Sequence, residues 1–147
     1  VCTDEYHSVF VSTIGQVWVC GHGQGGRLGI YKEKPLLIPT HLAISNEECT
    51  MAATALNHTI LLLSNGFVIA FGANHHHQLG VTPHVEACLR PRHVNLSGVR
   101  NAAPISGICA AKYHSVFFNE NVLLVCGLNA GQLGPKSDSP YITVPQL

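Results

Sequence analysis

Three sets of side chains in this sequence could do chemistry. The run His75-His76-His77 offers imidazoles for metal binding or proton transfer. Three successive histidines in one loop do not readily converge on one ion, and no Cys or carboxylate is spaced to complete a tetrahedron. Gly21-His22-Gly23-Gln24-Gly25-Gly26 fits the G-x-G-x-x-G spacing of a dinucleotide loop. Such a loop must open a helix whose N-terminus holds pyrophosphate, and here Arg27-Leu28-Gly29-Ile30 and then Pro35 follow. The pairs His7-Ser8 and His114-Ser115 place a base beside a hydroxyl. Adjacent strand residues point to opposite faces, so neither pair shares a proton, and no G-x-S-x-G turn or paired acid supports them. No catalytic, cofactor or metal residue is therefore expected. The His75–His77 run reads as a solvent-facing loop or a partner contact, and the recurrent histidines as buried imidazoles bonded to backbone.

The elements that must position these groups are read from repetition. Residues 3–29 align without a gap on residues 54–80, and seven pairs coincide, among them His7/His58, Gly15/Gly66, Gly21/Gly72, Leu28/Leu79 and Gly29/Gly80. Average composition would give roughly two coincidences. A third copy runs from His114 through Gly127 and Leu133 to Gly134, with two single deletions. A fixed period of this kind marks one supersecondary unit stacked on itself. Each copy holds two short apolar runs about a turn; Ser64-Asn65-Gly66 separates Thr59–Leu63 from Phe67–Phe71, a strong hairpin signal. The runs are continuous rather than alternating, as expected of strands covered on both faces. Further strands are expected after Pro39, Pro91 and Pro145, and before the histidines at Met51–Thr54 and Ile108–Lys112. Four short strands per unit make the blade of a β-propeller.

Composition narrows the function classes. Charged residues are 11% and apolar residues 46%, which suits a folded domain. Eight Lys/Arg balance eight Asp/Glu without a basic cluster, so nucleic acid is not an expected partner. No run approaches the roughly 18 apolar residues of a membrane span, so no membrane is expected either. Cys20 and Cys126 share a repeat position with Phe71, and Cys2 and Cys109 share one with Ala53. Positions filled by Cys, Phe or Ala read as packing sites, and no C-x-x-C occurs; reduced core thiols of a cytosolic protein are expected. The missing initiator Met leads to the expectation of a piece of a longer protein with flanking domains elsewhere.

The segments Val17-Trp18-Val19-Cys20-Gly21, Phe71-Gly72-Ala73-Asn74 and Gly127-Leu128-Asn129-Ala130-Gly131-Gln132-Leu133-Gly134, with His7-Ser8, His58-Thr59 and His114-Ser115, resemble the repeat of the regulator of chromosome condensation (RCC1) family. The resemblance implies an all-β fold of RCC1-type propeller blades, about three repeats forming a partial propeller. The expected blades are 1–36 (incomplete at its N-terminus), 37–87 and 88–140, with 141–147 starting a further strand. The resemblance is greatest to a cytoplasmic adaptor of the family that also carries ankyrin repeats and BTB domains. It implies a non-enzymatic protein-interaction module in the cytoplasm, with the nucleus as the alternative. Implied partners are proteins, namely a Tec-family tyrosine kinase and ubiquitin-ligase substrates. Guanine-nucleotide exchange on a small GTPase and a purely structural spacer stand as alternatives. Candidate partner-binding residues are Gln24 and Arg27 in one loop and Asn74, His75, His76, His77 and Gln78 in the next. His7, His58, His114, Gly21, Gly72, Gly127, Leu28, Leu79 and Leu133 are read as structural. Departures from the family pattern are Arg27 for Gln, His77 for Gly, and three blades where a closed ring of the family has seven. Further blades outside the segment, meeting partial propellers and an open arc all remain open.

Overall fold

A computed structural model of the chain describes residues 1–44, 46–97, 104–134 and 138–146. The described strands form three antiparallel four-stranded sheets. The first blade is β1 (Cys2–Thr3), β2 (His7–Val11), β3 (Val17–Gly21) and β4 (Leu36–Leu42). The second is β5 (Cys49–Ala55), β6 (His58–Leu63), β7 (Val68–Ala73) and β8 (Ala87–His93). The third is β9 (Gly107–Ala111), β10 (His114–Phe118), β11 (Leu123–Leu128) and β12 (Tyr141–Gln146). Strand β5 packs against β1 and β2 on one side and β9 on the other, which stacks the blades in chain order. This is the expected all-β partial propeller.

The blade boundaries fall elsewhere than the sequence suggests. The stretches holding Pro39, Pro91 and Pro145 pair backwards onto β3, β7 and β11. The breaks therefore lie at 42/49 and 93/107, and the further strand expected from 141 is formed over 141–146 as the last strand of the third blade. The strands also run through their prolines instead of beginning after them. Each is the edge strand of its sheet, where a missing N–H breaks no ladder, and a register shift beside it absorbs the irregularity.

The Asn-Gly hairpin forms, though not as the two-residue turn such a pair often makes. Gly66 alone takes positive φ, at 81°. Leu63 N–H bonds Phe67 O and Gly66 N–H bonds Leu63 O, both at 2.9 Å, a three-residue loop closed by a glycine bulge. The third blade lacks this Gly; there the Asn119 side chain accepts from the N–H groups of Asn121 and Val122 at 2.8 and 3.0 Å.

Burial follows the stacking. All six residues of β6 and of β7 are buried, as continuous apolar runs require. Strands β2 and β3 bury mainly alternate residues, because a blade covers only one face of the first sheet. The core-thiol expectation holds for Cys49, Cys88 and Cys126; Cys2 and Cys20 are half-buried and Cys109 is exposed. Burial pushes the Cys49 thiol up to about 11 and raises those of Cys88 and Cys126 as well. All six are free thiols.

Candidate partner-binding rim

The hairpin turns lie at one end of the blades, and the loops after β3, β7 and β11 at the other. The repeated glycine builds this second rim. Gly21, Gly72 and Gly127 hold φ of 112°, 110° and 117°. A Cβ there would sit 2.3–2.4 Å from the carbonyl oxygen of Tyr6, Asn57 or Tyr113. The bare glycine lets that carbonyl take the next N–H: His22, Ala73 and Leu128 donate to it at 2.8–2.9 Å. The turn before each recurrent histidine is thus tied to the loop that follows the next strand but one in the repeat pattern.

Several residues expected on the surface serve inside this construction. Asn74 is buried; its Nδ2 donates to Val85 O at 2.8 Å and its Oδ1 accepts from Leu79 N–H at 3.0 Å. Gln78 is buried, and its Oε1 accepts from His76 N–H at 3.0 Å. Arg27 is buried, donating through Nε to Gln24 O and through Nη1 to Leu56 O of the second blade, both at 2.8 Å. These three side chains are withdrawn from the partner-binding set, because the loop backbone already uses their polar atoms. Gln24 and His75 are exposed, and His76 and His77 are half-buried.

The recurrent histidines form joints between blades. His7 Nε2 lies 2.7 Å from Thr59 Oγ1, and Thr59 donates to Arg27 O. His58 Nε2 lies 3.1 Å from Ser115 Oγ, and Ser115 donates to Gln78 O. The imidazole therefore bonds a hydroxyl of the following blade, and only that hydroxyl bonds backbone, which corrects the expected direct bond. Burial, helped by His7 and His114, lowers the His58 pKa to about 3, so its ring is neutral. Burial also lowers that of His7, although Asp4 Oδ2 lies 2.8 Å from its Nδ1, off the line of a good hydrogen bond.

What the rim presents outward is a strip of rings drawn from the second and third blades. His76 packs on Tyr113 at 4.6 Å and on Tyr141 at 5.9 Å. His77 lies 5.5 Å from Tyr141 and 4.2 Å from His84. Lys112 Nζ sits 4.9 Å over the Tyr113 ring. At the other end, Glu86 accepts from His75 Nδ1 and lies 3.4 Å from His84 Nε2; hydrogen bonding, first from His75, holds its carboxyl below the usual range. Burial and the neighbouring His84 keep the His77 pKa low. His77 also holds φ of 60°, where the equivalent positions carry Gly26 and Gly131. Sequence reasoning missed Tyr113, Tyr141, His84 and Glu86. A signal existed for one of them: Tyr6-His7 and Tyr113-His114 repeat the same pair. No group of His, Cys, Asp or Glu among the described residues is arranged to hold a metal ion.

The profile of the "Regulator of chromosome condensation (RCC1) repeat" matches residues 65–118. That span runs from the hairpin turn of the second blade through β10, so one sequence repeat links halves of two blades. The chain is 40% identical over 135 residues to "Inhibitor of Bruton tyrosine kinase" from Mus musculus, covering 91% of this chain and 10% of the relative. It is 32% identical over 139 residues to "Protein RCC2" of Mus musculus, covering 92% and 26%. In structure it is similar to human WBSCR16, with a TM-score of 0.87 at 22% identity over 98% of this chain and 36% of that one. It is also similar to yeast RCC1 (Prp20), solved bound to Kap60, with a TM-score of 0.82 at 18% identity over 97% and 35%. The chain thus spans a small part of its curated relatives and about a third of these solved chains.

Proposed function

The chain carries RCC1 repeats and is similar to inhibitor of Bruton tyrosine kinase over most of its length, and on that premise we propose that it binds a protein partner through the ring strip on its loop rim. The observation that carries this reading is the continuity of Lys112, Tyr113, His76, Tyr141, His77 and His84 across two blades. Tyrosine and similar rigid rings supply contact area at low entropic cost and are enriched at binding hot spots. The buried Asn74 and Gln78 hold the loop backbone, so the rings are preorganised rather than ordered on binding.

The name of the relatives points to the partner. We propose a Tec-family tyrosine kinase of the Bruton type, restrained by binding, in a cytoplasmic adaptor that also recruits substrates to a cullin ubiquitin ligase. The module itself does no chemistry in this reading. The test is a direct binding assay between the folded chain and the regulatory half of Bruton tyrosine kinase. Saturable binding that weakens about tenfold or more when Tyr141 or His77 is replaced by Ala supports the proposal. Binding insensitive to every rim substitution would move the surface elsewhere. A folded chain that does not bind leaves kinase restraint to other domains, and faster nucleotide release from a small GTPase would favour exchange instead.

A further inference from the structure

A groove of about 560 Å³ runs along the outer side of the first joint, between the ends of β4 and β8, with the buried Ile69 beneath it. Strand register shows what keeps it open. Trp18 opposes His41 as Ile69 opposes His93, and Val19 opposes Thr40 as Ala70 opposes Arg92. Ala43 therefore holds the place of Asn95, and Thr40 that of Arg92. In the second blade Asn95 N–H donates to Gly80 O at 2.8 Å and its Nδ2 to Thr82 Oγ1 at 3.0 Å, while Arg92 Nη2 donates to Thr82 O at 3.3 Å. These bonds tie the end of β8 to the loop that follows β7. The first blade lacks the tie. Ala43 has no polar side-chain atom, and the Thr40 hydroxyl donates to Ile38 O at 3.1 Å instead. Among the described residues, neither Ala43 N–H nor Gly29 C=O makes a hydrogen bond, although both residues line the groove.

The side chains around this opening have one electrostatic sense. Arg90, His41 and His93 line it, and no carboxylate does. The Arg90 guanidinium lies 4.4 Å over the Tyr31 ring and forms no ion pair among the described residues. Stacking of this kind holds the planar fork by its face and leaves its N–H edge to take a carboxylate in bidentate fashion. Tyr31 itself holds φ of 67°, a backbone conformation that L-residues avoid. Its N–H donates to Leu89 O of the second blade at 2.7 Å, which fixes the ring over the groove wall.

We propose that this groove binds an extended peptide segment of a partner that carries an Asp or Glu side chain. The carboxylate meets Arg90. The peptide main chain supplies a C=O to Ala43 N–H and an N–H to Gly29 C=O, the groups whose counterparts Asn95 and Gly80 satisfy each other in the second blade. Both flanking blades belong to this chain, so the site is complete within the described residues, and it stands on other side chains than the ring strip of the rim.

The experiment screens the purified chain against an array of N-acetylated, C-amidated pentapeptides with Glu at the centre and varied flanks, beside the same array with Gln at the centre. Fluorescence anisotropy then measures the strongest Glu-centred peptide. Expected is saturable binding that weakens about tenfold or more on Glu-to-Gln exchange in the peptide or on Arg90→Gln in the chain, and that His77→Ala leaves unchanged. Thr40→Arg combined with Ala43→Asn installs the residues that close the second blade and should abolish binding, with circular dichroism and a cooperative melt establishing that the variant is folded. Arg90 is exposed, so Arg90→Gln remains a test should the double variant fail to fold. The proposal is overturned if no Glu-centred peptide binds, if Gln-centred peptides bind equally, or if binding survives Arg90→Gln. Competition by free glutamate or inorganic phosphate at the peptide's own strength would overturn it as well, by showing an anion site with no use for the main chain.

Discussion

Replacing His77 by Gly separates construction of the rim from its use. His77 sits at φ of 60°, a left-handed conformation that costs an L-residue about 1–2 kcal/mol. Glycine removes that strain but loses about 0.5–1 kcal/mol to its greater freedom in the unfolded chain. The ring contacts with His84 at 4.2 Å and Tyr141 at 5.5 Å disappear, and at a half-exposed site they stand at the low end of aromatic pairs, about 0.5 kcal/mol. The balance runs from about 0.5 kcal/mol of destabilisation to about 1 kcal/mol of stabilisation, a Tm change between about −2 and +4 °C for a chain of this size. Partner binding should nevertheless weaken about tenfold or more, because a central ring of the strip is gone. Differential scanning calorimetry and a titration against the kinase regulatory half read the two effects on one protein. A loss of more than about 1 kcal/mol of stability would show that the ring stack holds the fold. Full affinity in a folded Gly variant would show that the strained histidine is not part of the binding surface.

Further perturbations test the frame beneath the rim. The neutral, buried His58 ring has its pKa lowered from 6.5 to about 3, so below pH 6.5 the unfolded chain binds a proton that the folded chain refuses. Stability should be full above that pH and fall by up to about 1.4 kcal/mol per pH unit towards pH 3, with His7 adding in the same direction; urea unfolding at a series of pH values measures the slope, which His58→Gln should reduce. Gly72→Ala should cost more than about 3 kcal/mol, since the new Cβ would lie 2.3 Å from Asn57 O. Gly131→Ala, also at positive φ but with nothing within 4 Å, should cost only about 1 kcal/mol in the same denaturation assay. Thiol titration should find Cys109 reacting first and Cys49, Cys88 and Cys126 reacting only after denaturation, as their exposure and raised pKa values require.

The frame was legible because it repeats. His, Gly and Leu recur where backbone geometry and burial leave little choice, and three copies show which positions those are. The relations between copies were not legible. His7 meets Thr59 and His58 meets Ser115 across 52 and 57 residues, and the local rule that adjacent His and Ser face apart is true yet silent about which hydroxyl comes from next door. The blade boundaries were misplaced for a related reason: proline reads as a strand breaker in isolation, and only an edge position makes Pro39, Pro91 and Pro145 harmless. The candidate site was half legible. Polar residues in a polar loop read as exposed, but Arg27, Asn74 and Gln78 satisfy backbone groups that the loop would otherwise bury unpaired.

That division explains how one repeat can carry different surfaces. In the second blade Asn74 and Gln78 fix the loop from beneath, and in the third Asn129 and Gln132 accept from the loop N–H groups of Gly131 and Ala130. Between these anchors the second blade holds His75-His76-His77 and the third Ala130-Gly131. The first blade holds its loop differently, with Glu33 accepting from Gly25 N–H and Arg27 reaching Leu56 O. In the second blade the loop backbone is therefore supported by buried atoms, and in the third by the half-buried Asn129 and the exposed Gln132, and the side chains between can change without unfolding the blade. A strained histidine at a position that glycine fills in the other two copies is hard to account for by folding alone. Its ring reaches Tyr141 of the third blade and His84 of its own, so the strain at His77 is set against a surface that no single blade could form.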